Sequence, residues 1–110
     1  MTDSELLYGR RTWNLLHSMA AYYPETPTLE EQKAATTFIN RFMEVGIEHP
    51  EWGAKFLANM STVGQPDVSS TEGLSVWMCK QHNLINADLG KPQASCSYED
   101  LKKRWGAPSK

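Results

Sequence analysis

Two short phrases constrain the fold more than anything else in the chain. Thr28-Leu-Glu-Glu31 and Ser69-Ser-Thr-Glu72 each set a hydroxyl residue three positions ahead of a glutamate, the reciprocal capping pattern that opens an α-helix. No stretch alternates apolar and polar residues convincingly enough to propose a sheet. The rest of the punctuation agrees and predicts an all-α domain of five helices. The first runs from about Ser4 to Tyr23 and is stopped by Pro24. The second follows the Thr28 box and carries Ala34, Ala35, Phe38, Ile39 and Phe42 as core positions toward Gly46. Pro50 suits the first turn of a third helix through Phe56, Leu57 and Met60, after which Ser61 to Ser70 reads as a loop. The second box opens a fourth helix through Leu74, Val76, Trp77, Ile85 and Leu89, which Gly90 ends with Pro92 just beyond. Ser97-Tyr-Glu-Asp100 starts a short fifth helix ending near Trp105, and 106–110 is expected to fray.

The bulk properties narrow the functional classes. At 110 residues the chain is read as a single domain, 1–110, large enough for a real core. With 11 basic and 13 acidic residues and no long basic run, nothing marks an electrostatic footprint for nucleic acid or an anionic membrane. No apolar stretch approaches the roughly 18 residues of a membrane span. Met-Thr-Asp-Ser-Glu at the start is neither a basic signal-peptide region nor an Arg-rich transit peptide, so any compartment other than the cytosol calls for another import route.

Two stripes carry the chemistry. Arg10, Trp13 and His17 are spaced i, i+3, i+7 and share a face of the first helix, where they present a cation, a flat aromatic and an imidazole. The plainer reading is an amphipathic helix with a core Trp and a surface Arg. On the fourth helix, Cys79, His82, Asn83 and Asn86 also share a face. Such a polar stripe is either solvated or turned inward toward a polar, ring-bearing ligand, because buried amides and imidazoles need partners. Trp13, Tyr22, Tyr23, Trp77 and Trp105 are more often core than stacking platforms for nucleic acid at this charge balance. Two further arrangements are weaker. Cys79, His82 and Cys96 with His17 or His49 could form a zinc tetrad, but zinc sites usually show two close ligand pairs and here there is one. Cys79 with His82 as nucleophile and base matches no acyl-transfer signature, and no oxyanion-binding glycine turn precedes it. Two cysteines alone are weak evidence for a disulfide.

Taken together, Tyr8-Gly9-Arg10-Arg11-Thr12-Trp13-Asn-Leu-Leu16-His17 with Tyr22-Tyr23-Pro24, and Cys79-x-x-His82-Asn83-x-x-Asn86-x-x-Leu89-Gly90-Lys91-Pro92 followed by Cys96, resemble the Erv/augmenter-of-liver-regeneration (Erv/ALR) family of FAD-linked sulfhydryl oxidases. The resemblance implies a bundle of four main helices plus a short fifth, non-covalent FAD, and a homodimer through the first helices. It implies FAD contacts from Gly9, Arg10, Thr12, Trp13, His17 and Tyr22. It adds His82, Asn83, Ile85 and Asn86, which would hold the adenine-ribose side, with Leu89, Lys91 reaching toward phosphate or ring, and Lys103 to Trp105 closing the pocket. Cys79 and Cys96 correspond to the family's structural disulfide, which would stabilise by roughly 3 kcal/mol in the chain-entropy view.

One departure bears on mechanism. The family places a Cys-x-x-Cys against the flavin at the start of the third helix, whereas this chain reads Ile47-Glu48-His49-Pro50-Glu51-Trp52-Gly53-Ala54. Reading backward from Ala54 sets Pro50 and Gly53 at the cysteine positions. Reading forward from the second helix sets Glu48 and Glu51 there, so a two-residue insertion lies between. Neither register supplies sulfur, and thiolate chemistry has no substitute in Pro, Gly or Glu. The expectation is therefore a degenerate, non-catalytic FAD-binding member. It would have no metal, Trp52 would lie near the vacated flavin face, and the chain would serve as a structural or interaction subunit of a larger assembly in the mitochondrial intermembrane space. The alternative is a thiol oxidase or other flavin redox enzyme using a dithiol that a partner protein supplies.

Overall fold

The computed structural model describes residues 3–46 and 50–106. Five α-helices follow one another: α1 (Asp3–Ala21), α2 (Leu29–Arg41), α3 (Pro50–Val63), α4 (Thr71–Asp88) and α5 (Tyr98–Trp105). A π-helical turn, Phe42–Gly46, continues α2. No strand occurs among the described residues, as the sequence predicts.

α1 and α4 form the central pair. α3 lies against α4, and α5 lies across both members of the pair, giving four main helices with a short fifth. The core is built at helical spacing. Trp13, Leu16 and Ala20 come from α1, Leu74, Trp77, Met78 and Ile85 from α4, and Ile39 and Met43 from α2 and its π turn. Each large side chain removed from water here contributes about 1.5–3 kcal/mol before the entropy of ordering is charged against it. Ala20, fully buried, has no side chain beyond Cβ to hold neighbouring elements apart.

The helix ends are set by local chemistry. Thr28 Oγ1 accepts from the Glu31 amide at 3.1 Å and Glu31 Oε1 accepts from the Thr28 amide at 3.0 Å, a complete capping box. At α4 the cap is Ser70 and not Ser69. Ser70 Oγ accepts from the Gly73 amide at 2.9 Å, while Ser69 is held in a turn by Asp67 Oδ1. Glu72 thus stands at the second helical position, where it favours the helix dipole without closing a box. α3 runs on through Ser61–Val63, which the sequence assigns to a loop. It stops at Gly64, whose φ of 78° suits glycine and whose amide bonds back to the Met60 carbonyl at 2.8 Å. Gly90, with φ 69°, ends α4 as expected.

Two expected core positions are exposed, and a third, Ala35, is only half-buried. Ala34 is exposed and Phe38 is 43% exposed, with its ring 5.8 Å from that of Phe42. The second helix turns only the narrow Ile39–Met43 row fully inward, and Phe38 and Phe42 lie on the adjacent row. Between helices, Tyr23 Oη donates to the Val68 carbonyl and Thr71 Oγ1 donates to the Tyr23 carbonyl, tying the end of α1 to the start of α4. Trp77 Nε1 donates to the Gly64 carbonyl at 3.0 Å and anchors the α3–α4 connection.

Candidate functional site

α1 and α4 bring their two polar-aromatic stripes together, and α5 closes over them. The Trp13 indole and the His82 imidazole stack with centroids 4.0 Å apart and planes 6° from parallel. His17, one turn along from Trp13, stacks on Trp105 of α5 at 4.5 Å and 4°. The two stacks are joined by a hydrogen bond between His17 Nε2 and His82 Nδ1 at 2.9 Å. Four residues from three helices thus make one continuous ring cluster, where helical spacing showed two separate faces and the family resemblance set all four around one cofactor.

The bond fixes the protonation of the pair. One facing nitrogen must donate and the other accept, so at least one ring is neutral. Burial drives both rings further in that direction. His17 is pushed down to about 3, by desolvation first and then by His82 and Arg104. His82 is pushed down to about 4, by desolvation and then by Arg104 and Lys91. Arg104 also lies over the Trp105 ring at 4.7 Å. The cluster is therefore neutral inside, with cations at Arg104 and Lys91 near enough to bias its imidazoles.

A pH dependence follows. Both folded-state values lie below the ordinary histidine value, so the unfolded chain takes up protons that the native chain refuses as pH falls from 6.5 toward 4 and then 3. This contribution to stability is fully present above pH 6.5 and is lost on acidification. For His17 the slope approaches about 1.4 kcal/mol per pH unit, and the more solvent-open His82 adds less. Urea unfolding from pH 7 to pH 4 should show the decline, and His17→Gln should flatten it. An unchanged slope in that variant would mean the pair is not the source.

The other predicted site residues fall into distinct places. Gly9 and Thr12 are buried on α1, Arg10 is exposed beside them in sequence, and Asn86 is half-buried on α4. Lys91 and Lys103 are exposed. Tyr22 is exposed beyond the end of α1, Ile85 belongs to the apolar core, and Leu89 is the exposed C-cap residue of α4. Asn83 has its amide committed to the α4–α5 connection, bonding the Ala94 backbone through both its nitrogen and its oxygen. Cys79 and Cys96 are joined in a disulfide, so neither is a thiolate for zinc or for nucleophilic attack. Among the described residues no group of three or more His, Cys, Asp or Glu forms a metal site, and no helix is long and apolar enough to cross a membrane. Pro50 opens α3 and Gly53 lies in its first turn, while Glu48 and His49, the packing of Trp52 and the tail 107–110 lie outside what is described.

The rings occupy one another's faces, with Trp13 and His17 buried, so a flat ligand would reach those faces only by parting the stacks. The Trp105 Nε1–H is shielded from water and has no acceptor among the described residues, a costly state that a ligand oxygen or ring nitrogen would relieve. Arg104 was reached by the sequence only as part of the segment closing the pocket. Its signal was the aromatic next to it. Asn59, whose Nδ2 is also buried without an acceptor among the described residues, had no sequence signal beyond a polar residue in an apolar helix.

Comparison with known proteins supplies the context. A profile of the Erv1/Alr family matches residues 10–106. The mitochondrial FAD-linked sulfhydryl oxidase ERV1 of Saccharomyces cerevisiae is 39% identical over 98 residues, covering 88% of this chain and 49% of that protein. The FAD-linked sulfhydryl oxidase ERV1 of Arabidopsis thaliana is 34% identical over 101 residues, 89% of this chain and 49% of that protein. The chain thus spans about half the length of the curated relatives it matches. The crystal structure of the FAD binding domain of Erv1 from S. cerevisiae superposes with a TM-score of 0.80 at 38% identity, covering 96% of this chain and 95% of that one. The crystal structure of the yeast Erv1 core gives a TM-score of 0.81 at 36% identity, over 89% of this chain and 80% of that one.

Proposed function

This chain belongs to the Erv1/Alr family, and from that membership we propose that it is a FAD-binding module that does not itself oxidise thiols and serves as a structural or interaction subunit. The observation that carries the proposal is the state of its sulfur: the chain has two cysteines, and they are bonded to each other. Bound FAD would supply a two-electron acceptor, but passing a substrate's electrons to it in the family manner needs a dithiol, and both registers at the start of α3 lack one.

The cofactor half of the proposal is supported by the ring cluster. With the stacks parted, Trp13, His17, His82 and Trp105 would present flat surfaces to ring systems, Trp105 Nε1 would present a donor that has no acceptor among the described residues, and Arg10, Lys91, Lys103 and Arg104 would present cations to a pyrophosphate. Gly9, Thr12 and Asn86 complete the proposed set. A ligand that binds only the folded chain stabilises it by RT ln(1 + [L]/Kd), so FAD can serve the fold without turning over. Leu7 and Leu15 are exposed on α1, where they are available to a homodimer through the first helices. The Saccharomyces cerevisiae relative, named as mitochondrial, supports a mitochondrial location, and the intermembrane space with membership of a larger assembly is the finer form of the proposal.

The test is made on the purified protein. It should be yellow, with flavin absorbance near stoichiometric, and should consume oxygen with a small dithiol no faster than free FAD does. Rapid turnover would sink the non-catalytic half. Absence of flavin, even after incubation with FAD, would sink the cofactor half. Reduction of bound flavin by a co-purifying dithiol protein would establish instead that a partner supplies the missing pair.

A further inference from the structure

The segment 91–97, between α4 and α5, has no regular structure and is fastened to α4 at several points. The disulfide Cys79–Cys96 is one of them, and the Lys91 amide donates to the Asn86 carbonyl at 2.8 Å. Asn83, one turn beyond Cys79 on the same face, makes a separate grip. Its Nδ2 donates to the Ala94 carbonyl at 2.8 Å and its Oδ1 accepts from the Ala94 amide at 2.9 Å. The side-chain amide thus pairs with both polar groups of one backbone residue, as a neighbouring strand would. The same Nδ2 lies 3.2 Å from Cys96 Sγ. The strap then runs directly into Ser97, the cap of α5, and so determines where Trp105 meets His17.

We infer that Asn83 is a positioning residue, a second clasp that holds the strap, and through it the Trp105–His17 stack, independently of the Cys79–Cys96 bond. Its nitrogen bonds the Ala94 carbonyl and Cys96 Sγ and its oxygen accepts from the Ala94 amide, so the amide is spent on the strap and is not turned to reading a ligand's ring edges. Asn83 is half-buried, and its bonds to Ala94 are partly shielded from water. Either fastening alone keeps the strap seated. Losing both leaves it held to α4 by the Lys91–Asn86 backbone bond at its start. The effect on cofactor affinity rests on the FAD reading above, whereas the clasp itself does not.

The experiment compares the native chain, Asn83→Ala, Asn83→Asp, Cys79→Ala/Cys96→Ser, and the combination of Asn83→Ala with the cysteine changes. FAD titration and amide hydrogen exchange are read on each. Each single lesion should weaken FAD binding by less than about fivefold and the combination by roughly 100-fold, well beyond the product, as expected for two groups sharing one load. The Ala94 amide should lose protection by about tenfold or more in Asn83→Ala and by clearly less in Asn83→Asp, which keeps the accepting oxygen but sets a second oxygen against the Ala94 carbonyl. If Asn83→Ala alone weakens FAD as much as the combination, the residue is a direct ligand and the inference fails. Unchanged Ala94 protection in Asn83→Ala overturns it equally. Should the native chain bind no FAD, or the combination not fold, the Ala94 exchange in Asn83→Ala and Asn83→Asp decides alone, which separates failure of the clasp from failure of the cofactor reading.

Discussion

With Pro50→Cys and Gly53→Cys introduced together, the chain is expected to begin consuming oxygen in the presence of a dithiol. The gain over the native chain should be roughly 100-fold or more, a small part of the range enzymes reach. α3 begins at Pro50, so these substitutions would put two thiols, spaced i and i+3, in its first turn. Helix N-termini lower thiol pKa values because unpaired amides and the helix dipole favour the thiolate. The overall reaction would be two thiols and one O2 giving one disulfide and one H2O2, followed with an oxygen electrode and a peroxide assay. Glu48→Cys/Glu51→Cys tests the other register. Activity in that pair alone would move the ancestral position upstream, and inactivity of both pairs in a flavin-loaded protein would mean that the family's site has been lost in more than its sulfur.

The second large effect is at Trp13, which is buried in the core and also stacks on His82. Trp13→Ala is expected to cost about 3–5 kcal/mol of stability. That would lower the melting temperature by roughly 15 °C or more. Trp13→Phe keeps a ring and should recover most of the packing, while any remaining loss of FAD affinity then reports the stack. Thermal unfolding with and without added FAD separates the two, since the ligand-induced rise in melting temperature depends on affinity and concentration. A melting temperature in Trp13→Ala within a few degrees of native would contradict the central place given to this residue.

Much of this arrangement was legible in the sequence wherever chemistry is local. The Thr28–Glu31 box and the Gly90 stop depend on residues within one turn of each other, and both occur as read. Misreadings arose where neighbouring candidates compete for one role. Ser69 and Ser70 are both hydroxyls, and Asp67 decides between them by taking Ser69 into a turn. Ala34 and Phe38 are apolar at helical spacing, yet periodicity does not reveal how narrow a row of α2 is turned fully inward. The ring cluster was legible from spacing as two stripes, and the family resemblance brought them together with the Trp105 segment around one cofactor. Their meeting, the 2.9 Å imidazole bond and the Trp105 stack depend on tertiary packing across α1, α4 and α5, which no spacing within one helix encodes. Asn83 shows the same limit, because an amide facing a ligand and an amide gripping a strap look alike in sequence.

The π-helical turn at Phe42–Gly46 bears on how such a chain could have drifted from its relatives. A π turn takes up an additional residue compared with an α turn, so it can absorb inserted length while the helix before it stays in place. Ile39 and Met43 remain buried on either side of its start. The segment is therefore a length buffer. Added length there would leave Ile39 and the rest of the packed helix before it in register, and the shift would fall on the connection that leads to α3.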